Sequence, residues 1–288
     1  MAPQVVLLTG CSSGLGFSMA RRLAQDPDQR YLVIATDKDM AGKAELVAAV
    51  GDTIDKTIFI KEMDITKDED ITRVVDDAIK TYERIDILIN VAGVATMGLP
   101  ERMSRARIES IFNVNTIGTI RLTLAVLPNM KHKKAGKIIS VTSVGGVRGV
   151  PYGEVYSASK FAVEGFFESL LPAVKSFNIR VCMVEPAQIK TRMATGVWSD
   201  IETQISDETI HDIDRRQLRC VLNGMKWAPV SPVDDVVDAI MTKCVQDDYP
   251  VFRHLVAHPL IKGSLEGPST DLTGEKTIAL LRKMFGAE

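Results

Sequence analysis

Tyr156 and Lys160 stand four residues apart in the run Tyr156-Ser157-Ala158-Ser159-Lys160, at the head of a long helical pattern over residues 156–174. That spacing sets both side chains on one helix face, about 6 Å apart at Cβ. A phenol has a pKa of about 10 and is a poor base at neutral pH. An ammonium one turn away stabilises the phenolate and lowers that pKa. The pair is therefore suited to give and take an alcohol proton. Three hydroxyls lie upstream in Ser140-Val141-Thr142-Ser143-Val144-Gly145-Gly146. At the carboxyl end of a strand, any of them can hold a substrate oxygen and stabilise developing charge. Asn115, in Asn113-Val114-Asn115-Thr116-Ile117-Gly118, is placed to hold a water beside Lys160 and pass the proton outward.

A second constellation opens the chain. The apolar run 5–9 leads into Thr9-Gly10-Cys11-Ser12-Ser13-Gly14-Leu15-Gly16, and a helical pattern follows over 15–25. Glycines here let the chain turn tightly and let backbone N–H groups approach a pyrophosphate at the helix N-terminus. The spacing is GxxxGxG rather than the general GxGxxG of dinucleotide sites. Asp37 stands 21 residues past Gly16, where that fingerprint places an acid for the adenosine ribose. A carboxylate there accepts hydrogen bonds from the ribose hydroxyls and repels a 2′-phosphate. It predicts NAD(H) over NADP(H), with Lys38 beside it keeping NADP(H) as the alternative. Asn90-Val91-Ala92-Gly93 ends another apolar run, and its glycine allows close backbone approach to the same cofactor.

Positioning these groups calls for strands whose carboxyl ends converge. Short Val/Ile/Leu-rich runs at 5–9, 31–36, 57–63, 86–91, 137–142, 179–184 and 250–256 read as strands buried on both faces. Helical patterns occupy 15–25, 68–82, 104–112, 117–130, 156–174 and 232–244. The alternation predicts an α/β fold: a single-domain, Rossmann-type, doubly wound parallel sheet with helices on both faces. No repeat or linker divides 1–288. Residues 190–228 break the rhythm with weak helical patterning, Met193, Trp198, Trp227 and many charges, and read as a substrate-covering insertion.

Bulk properties narrow the partners. Hydrophobic residues make up 45% and charged residues 25%, an ordinary globular balance. A net charge of −2 offers nothing to nucleic acid. Cys11, Cys182, Cys220 and Cys244 show no CxxC spacing and no neighbouring His in sequence, so reduced thiols and no metal site are expected. Met1-Ala2-Pro3-Gln4 lacks a basic flank, and no run nears the roughly 18 apolar residues of a membrane span. A cytoplasmic protein is expected.

Taken together, these motifs resemble the short-chain dehydrogenase/reductase family. The likeness covers nearly all of the chain to about residue 190, with the motifs in family order. TGCSSGLG resembles the family's TGxxxGxG turn, carried by Gly10, Ser12, Ser13, Gly14, Leu15 and Gly16. Asp64 and Ile65 resemble its adenine-contacting pair, and NVAG its NNAG, with cofactor contacts implied for Asn90, Ala92 and Gly93. Asn115, Ser143, Tyr156 and Lys160 fall on its four catalytic positions, and the resemblance selects Ser143 over Ser140 and Thr142. Glu185-Pro186-Ala187-Gln188-Ile189-Lys190-Thr191 resembles the segment that clasps the carboxamide, through Pro186, Ile189 and Thr191, with Ala187 in place of the usual glycine.

Within the family, the likeness is to the branch of 17β-hydroxysteroid dehydrogenase type 1 and the photoreceptor retinol dehydrogenases. That implies an apolar steroid or retinoid alcohol or ketone, and a homodimer built on the helices at 117–130 and 156–174. Arg148, Asn223 and Asp37 depart from the branch. A reductase of small carbonyls or acyl chains, and a silent dinucleotide sensor, are the competing expectations.

Overall fold

The computed structural model describes residues 2–38, 42–260 and 262. Seven strands form one parallel sheet: β1 Gln4–Thr9, β2 Tyr31–Asp37, β3 Ile58–Glu62, β4 Ile87–Asn90, β5 Gly136–Val141, β6 Ile179–Pro186 and β7 Arg253–Val256. Their order is β3-β2-β1-β4-β5-β6-β7. All six pairings are parallel, from Val6 beside Val33 and Ile87 at the centre to Val184 beside His254 at the edge. The chain therefore winds outward from β1 in one direction, returns, and winds outward in the other. The reversal between β1 and β4 opens a crevice at the strands' carboxyl ends. This is the expected doubly wound Rossmann-type fold.

Helices cover both faces. α1 Gly14–Ala24, α2 Lys43–Val50 and α9 Val233–Ile240 lie on one side, where Leu15, Met19 and Leu23 pack with Val6, Leu8 and Val184. α3 Asp68–Tyr82, α5 Thr119–Lys133 and α6 Glu154–Lys175 lie on the other, where Val74, Leu122 and Phe167 pack with Leu7, Leu88 and Ile138. Because successive strand side chains alternate between faces, Val5 and Leu7 serve one core while Val6 and Leu8 serve the other. Continuous apolar runs are the price of having two cores.

Four features depart from the sequence expectation. α2 was not anticipated. α4 Arg105–Phe112 and α5 are one rod rather than two helices, joined by π-helical winding over Asn113–Gly118. The extra residue per turn shifts the apolar phase, so the periodicity reads as an interruption. Residues expected to be weakly helical form α7 Arg192–Ser206 and α8 Asp212–Trp227. These two pack on loops rather than on the sheet, so their apolar stripes are narrow. The rod Arg105–Lys133 is long and apolar enough to cross a membrane by length and composition, contrary to expectation. Half of its most apolar window is buried within the fold, with α3, α6 and the sheet against it, as a core helix would be.

Candidate active site

The ends of β1, β4 and β5 and the head of α6 converge on the crevice. Ser143 lies two residues past β5 with extended backbone, and its Oγ accepts from Gly145 N at 3.0 Å. Its hydroxyl also hydrogen-bonds Tyr156. The rival hydroxyls are placed differently. Thr142 Oγ1 is taken up by Glu164 and by the Val184 carbonyl, at 3.1 Å from the latter, and Ser140 is buried inside β5. Ser143, Tyr156 and Lys160 are therefore the groups brought together. Lys160 Nζ lies 5.9 Å from the Tyr156 ring centre and donates to the Val141 carbonyl at 3.2 Å.

Electrostatics here run against the sequence expectation. Burial pushes the Tyr156 phenol above its ordinary range, and the Ser143 hydrogen bond opposes that only in part. Burial also pushes the Lys160 ammonium down, to about 8, with the Glu164 carboxylate resisting. Both charged forms lose water at once, and Nζ is turned to a carbonyl rather than to the phenol. Desolvation therefore outweighs the expected ammonium effect on the tyrosine.

Asn115 sits in the π-helical turn, buried, where its side chain stitches the site together. Oδ1 accepts from Val94 N at 2.8 Å, and Nδ2 donates to Val94 O at 2.9 Å and Ser159 Oγ at 3.0 Å. Both amide protons are committed to scaffold bonds, so the water expected beside Lys160 cannot be held through them. Ser159 in turn donates to the Tyr156 carbonyl at 2.6 Å. The turn that carries Asn115 is thus pinned to the turn that carries Tyr156.

The residues at β1 fit a dinucleotide. A Cβ on Gly16 would lie 2.1 Å from the Gly10 carbonyl oxygen, so only glycine permits this crossing of strand end and helix. Ser13 begins α1 without a side-chain cap, and no acid sits in the first turn. The helix therefore presents uncapped N–H groups and the positive end of its dipole, as an anionic phosphate requires. Asp37 ends β2 and accepts from Ser12 N at 2.9 Å, placing its carboxylate beside this turn. Thr191 packs on the same turn, its Cγ2 being 3.3 Å from where a Gly14 Cβ would stand, and its Oγ1 caps α7. Gly93 faces Asn115 and Lys160, with a Cβ there 3.6 Å from Nζ. Leu15 is core beneath the turn, and Pro186 ends β6 beside Val256 while Ile189 bridges Ser231.

Other expected contacts have scaffold roles. Asn90 is buried and reaches Thr123 on α5 at 3.4 Å. Asp64 accepts from both the N–H and the hydroxyl of Thr66, at 2.9 and 2.7 Å, and Ile65 is buried against the Gly118 turn. Thr9, named in the sequence only as the start of the glycine-rich turn, holds the NVAG turn: its Oγ1 accepts from Val91 N and Ala92 N, each at 3.0 Å. Arg148 is buried in the turn after Ser143, where desolvation lowers its pKa.

Above the crevice, α7 and α8 pack on the loops that follow β4 and β5, through Met97, Leu99, Val197, Ile201, Leu218 and Leu222. Gln204 fastens them. Its Oε1 accepts from Leu99 N at 2.8 Å and its Nε2 donates to Met97 O at 3.3 Å. Away from the site, the fold brings a histidine to two cysteines, which the sequence had not suggested. Cys182, Cys244 and His254 offer ligand atoms within 4.8 Å of one another. The sulfurs are 3.0 Å apart, closer than the roughly 3.7 Å that two thiolates take on one tetrahedral ion. The Lys137 ammonium acts on the Cys182 thiol. All four cysteines are free.

A dinucleotide-type turn facing a Ser–Tyr–Lys group at the switch point defines a nicotinamide-linked oxidoreductase of the α/β class. The pattern of the short chain dehydrogenases matches residues 4–202, and the chain belongs to that family, whose members bind NAD(P) and act on CH–OH groups. Retinol dehydrogenase 8 of Bos taurus is 42% identical over 202 residues, covering 70% of this chain and 64% of that protein. The match thus spans less than two thirds of that relative's length. Human 17-beta-hydroxysteroid dehydrogenase type 1 is 29% identical over 291 residues, covering 99% of this chain and 87% of that protein. Among solved structures, a short chain dehydrogenase/reductase from Burkholderia phymatum in complex with NAD superposes with a TM-score of 0.76 at 19% identity, covering 95% of each chain.

Proposed function

We propose that this protein oxidises an apolar secondary or allylic alcohol of the steroid or retinoid class, preferring NAD(H). The observation that carries the reading is the meeting of Ser143, Tyr156 and Lys160 at the end of β5, opposite the α1 turn. In this reading the alcohol oxygen lies between the Ser143 and Tyr156 hydroxyls. Ser143 holds the oxygen, and its Gly145 N–H bond fixes which way the hydroxyl points. Tyr156, as phenolate, takes the hydroxyl proton. A bound oxidised nicotinamide would supply the hydride acceptor and a positive charge. Lys160, in its protonated form, adds a second positive charge, and together these work against the desolvation that raises the Tyr156 pKa.

Substrate class is supported by the apolar cover. α7 and α8 pack with the loops at 97–99 and 150–152 in an apolar cluster that includes Met97, Leu99, Val150, Tyr152, Trp198 and Met225. An apolar cluster on the loops that follow β4 and β5 favours a flat hydrocarbon over a small polar carbonyl. Cofactor preference is supported by Asp37, whose carboxylate beside the α1 turn repels a 2′-phosphate. A homodimer is supported by large apolar side chains left exposed on the rod and on α6, namely Ile117, Leu124 and Phe161. The test is cofactor reduction at 340 nm with NAD and NADP against a steroid alcohol, a retinol and a short secondary alcohol. Turnover of only the short alcohol would point to the small-carbonyl reading, and no turnover with any of them to a silent sensor.

A further inference from the structure

Behind the Tyr156–Lys160 face lies a buried carboxylate that the proposed chemistry does not use. Glu164 follows Lys160 by one turn of α6 and is only 4% exposed. A solitary buried carboxylate is costly, and this one is heavily partnered. Thr142, the residue before Ser143, donates its hydroxyl to Glu164 Oε1. Arg253 on β7 donates to Glu164 Oε2, to Glu185 Oε1 at 2.9 Å and to Glu168 Oε2 at 3.0 Å. Glu185 directly precedes Pro186 at the end of β6. One side chain thus ties together the strand that delivers Ser143, the helix that delivers Tyr156 and Lys160, and, through Arg253, the end of β6. The fit is tight: a Cβ on Gly146 would stand 3.1 Å from Glu164 Cγ and 3.3 Å from Lys160 Cβ.

We propose that Glu164 is a positioning residue for the reaction: it locks the Ser143 turn onto the Tyr156–Lys160 face and supplies the counter-charge to the buried Lys160 ammonium. The inference rests on the oxidoreductase reading above. The charged groups facing Glu164 are Lys160 and Glu168 on α6, Glu185 on β6 and Arg253 on β7. The residue after β5 offers only the Thr142 hydroxyl, and the turn at 144–146 offers no charge. Among these cations Lys160 has no other carboxylate acting on it, whereas Arg253 is shared among three. Removing the Glu164 charge while keeping its shape therefore takes one of three carboxylates from Arg253, which keeps Glu168 and Glu185, but takes from Lys160 the one carboxylate that acts on it. The ammonium then loses its proton at lower pH, and the working state is depleted at neutral pH.

Glu164→Gln tests this in two ways. In the protein without cofactor, Lys160 is titrated by NMR on 15N-lysine-labelled protein, with Lys160→Met for assignment. The midpoint should fall by about one pH unit in Glu164→Gln, as expected for losing a near carboxylate. In the loaded enzyme, kcat for alcohol oxidation should fall about tenfold with the alkaline limb of the pH profile moved down. The alcohol KM should change little. A folded Glu164→Gln with the wild-type midpoint overturns the inference, whether or not the wild type oxidises alcohols. An inactive wild type refutes only the functional reading, because the titration does not depend on it. If Glu164→Gln fails to fold, Glu164→Asp keeps the charge but withdraws it by one methylene. A folded Glu164→Asp with lower kcat and a lowered Lys160 midpoint supports the inference, and wild-type values for both overturn it.

Discussion

At the scale of single residues, the site is governed by desolvation. Lys160 is buried in a place that penalises its charge, and its pKa falls from an ordinary 10.5 to about 8. The unfolded chain holds that proton up to the higher value, so between about 8 and 10.5 it binds more protons than the folded state. Stability from this group therefore rises with pH across that window, and the cost stands in full below it. The cost is on the order of 3 kcal/mol. Lys160→Met should accordingly melt several degrees higher at pH 7 while losing turnover, and calorimetry with an activity assay checks both. Asp37 carries the other residue-scale prediction. Asp37→Ser removes the charge beside the α1 turn and should raise kcat/KM with NADP relative to NAD by at least about tenfold, the loss of a like-charge repulsion. An unchanged ratio would remove Asp37 from cofactor choice.

At the scale of elements, legibility tracked what each element packs against. The seven strands and, α2 excepted, the helices against the sheet stood out because two-sided burial makes apolar runs and one-sided burial makes amphipathic stripes. α7 and α8 did not. Their buried positions are few, Val197 and Ile201 on one and Leu218, Val221 and Leu222 on the other, since they pack on each other and on loops rather than on the sheet. Ser143, Tyr156 and Lys160 were readable because motif and spacing coincide with strand and helix ends. Thr9, Ser159 and Glu164 were not, because their partners are distant in sequence and only the fold brings them near. The direction of the tyrosine shift was misjudged for a related reason: helical spacing fixes a distance but says nothing about desolvation.

The cover yields a test of its own. Gly98 has φ +148°, and a Cβ there would lie 2.0 Å from Gln204 Nε2. Gly98→Ala should strain the backbone and displace Gln204, costing about 1–3 kcal/mol. A steroid or retinol KM should rise several-fold, with the short-alcohol KM nearly unchanged. Equal effects on all substrates would show that α7 and α8 do not shape the substrate site.

At the scale of the whole molecule, two cores share one sheet, and the site sits where the winding reverses. What the fold leaves uncovered is also informative. Leu124 and Phe161 are 44% and 45% exposed on neighbouring helices, an apolar surface that a second copy of the chain would bury. The double substitution Leu124→Glu and Phe161→Glu should convert a dimer to a monomer in light scattering, with the circular dichroism spectrum retained. A wild type that already runs as a monomer at micromolar concentration would contradict the dimer.

The central claim is that Tyr156 moves the alcohol proton beside a bound nicotinamide. Tyr156→Phe keeps the ring and removes only the hydroxyl, so one comparison of wild type and variant decides it, with kcat for alcohol oxidation and NADH affinity measured on the same preparations. The account predicts a loss of about 10²–10⁴ in kcat with NADH binding within a few-fold of wild type. Near-normal turnover in Tyr156→Phe would contradict it.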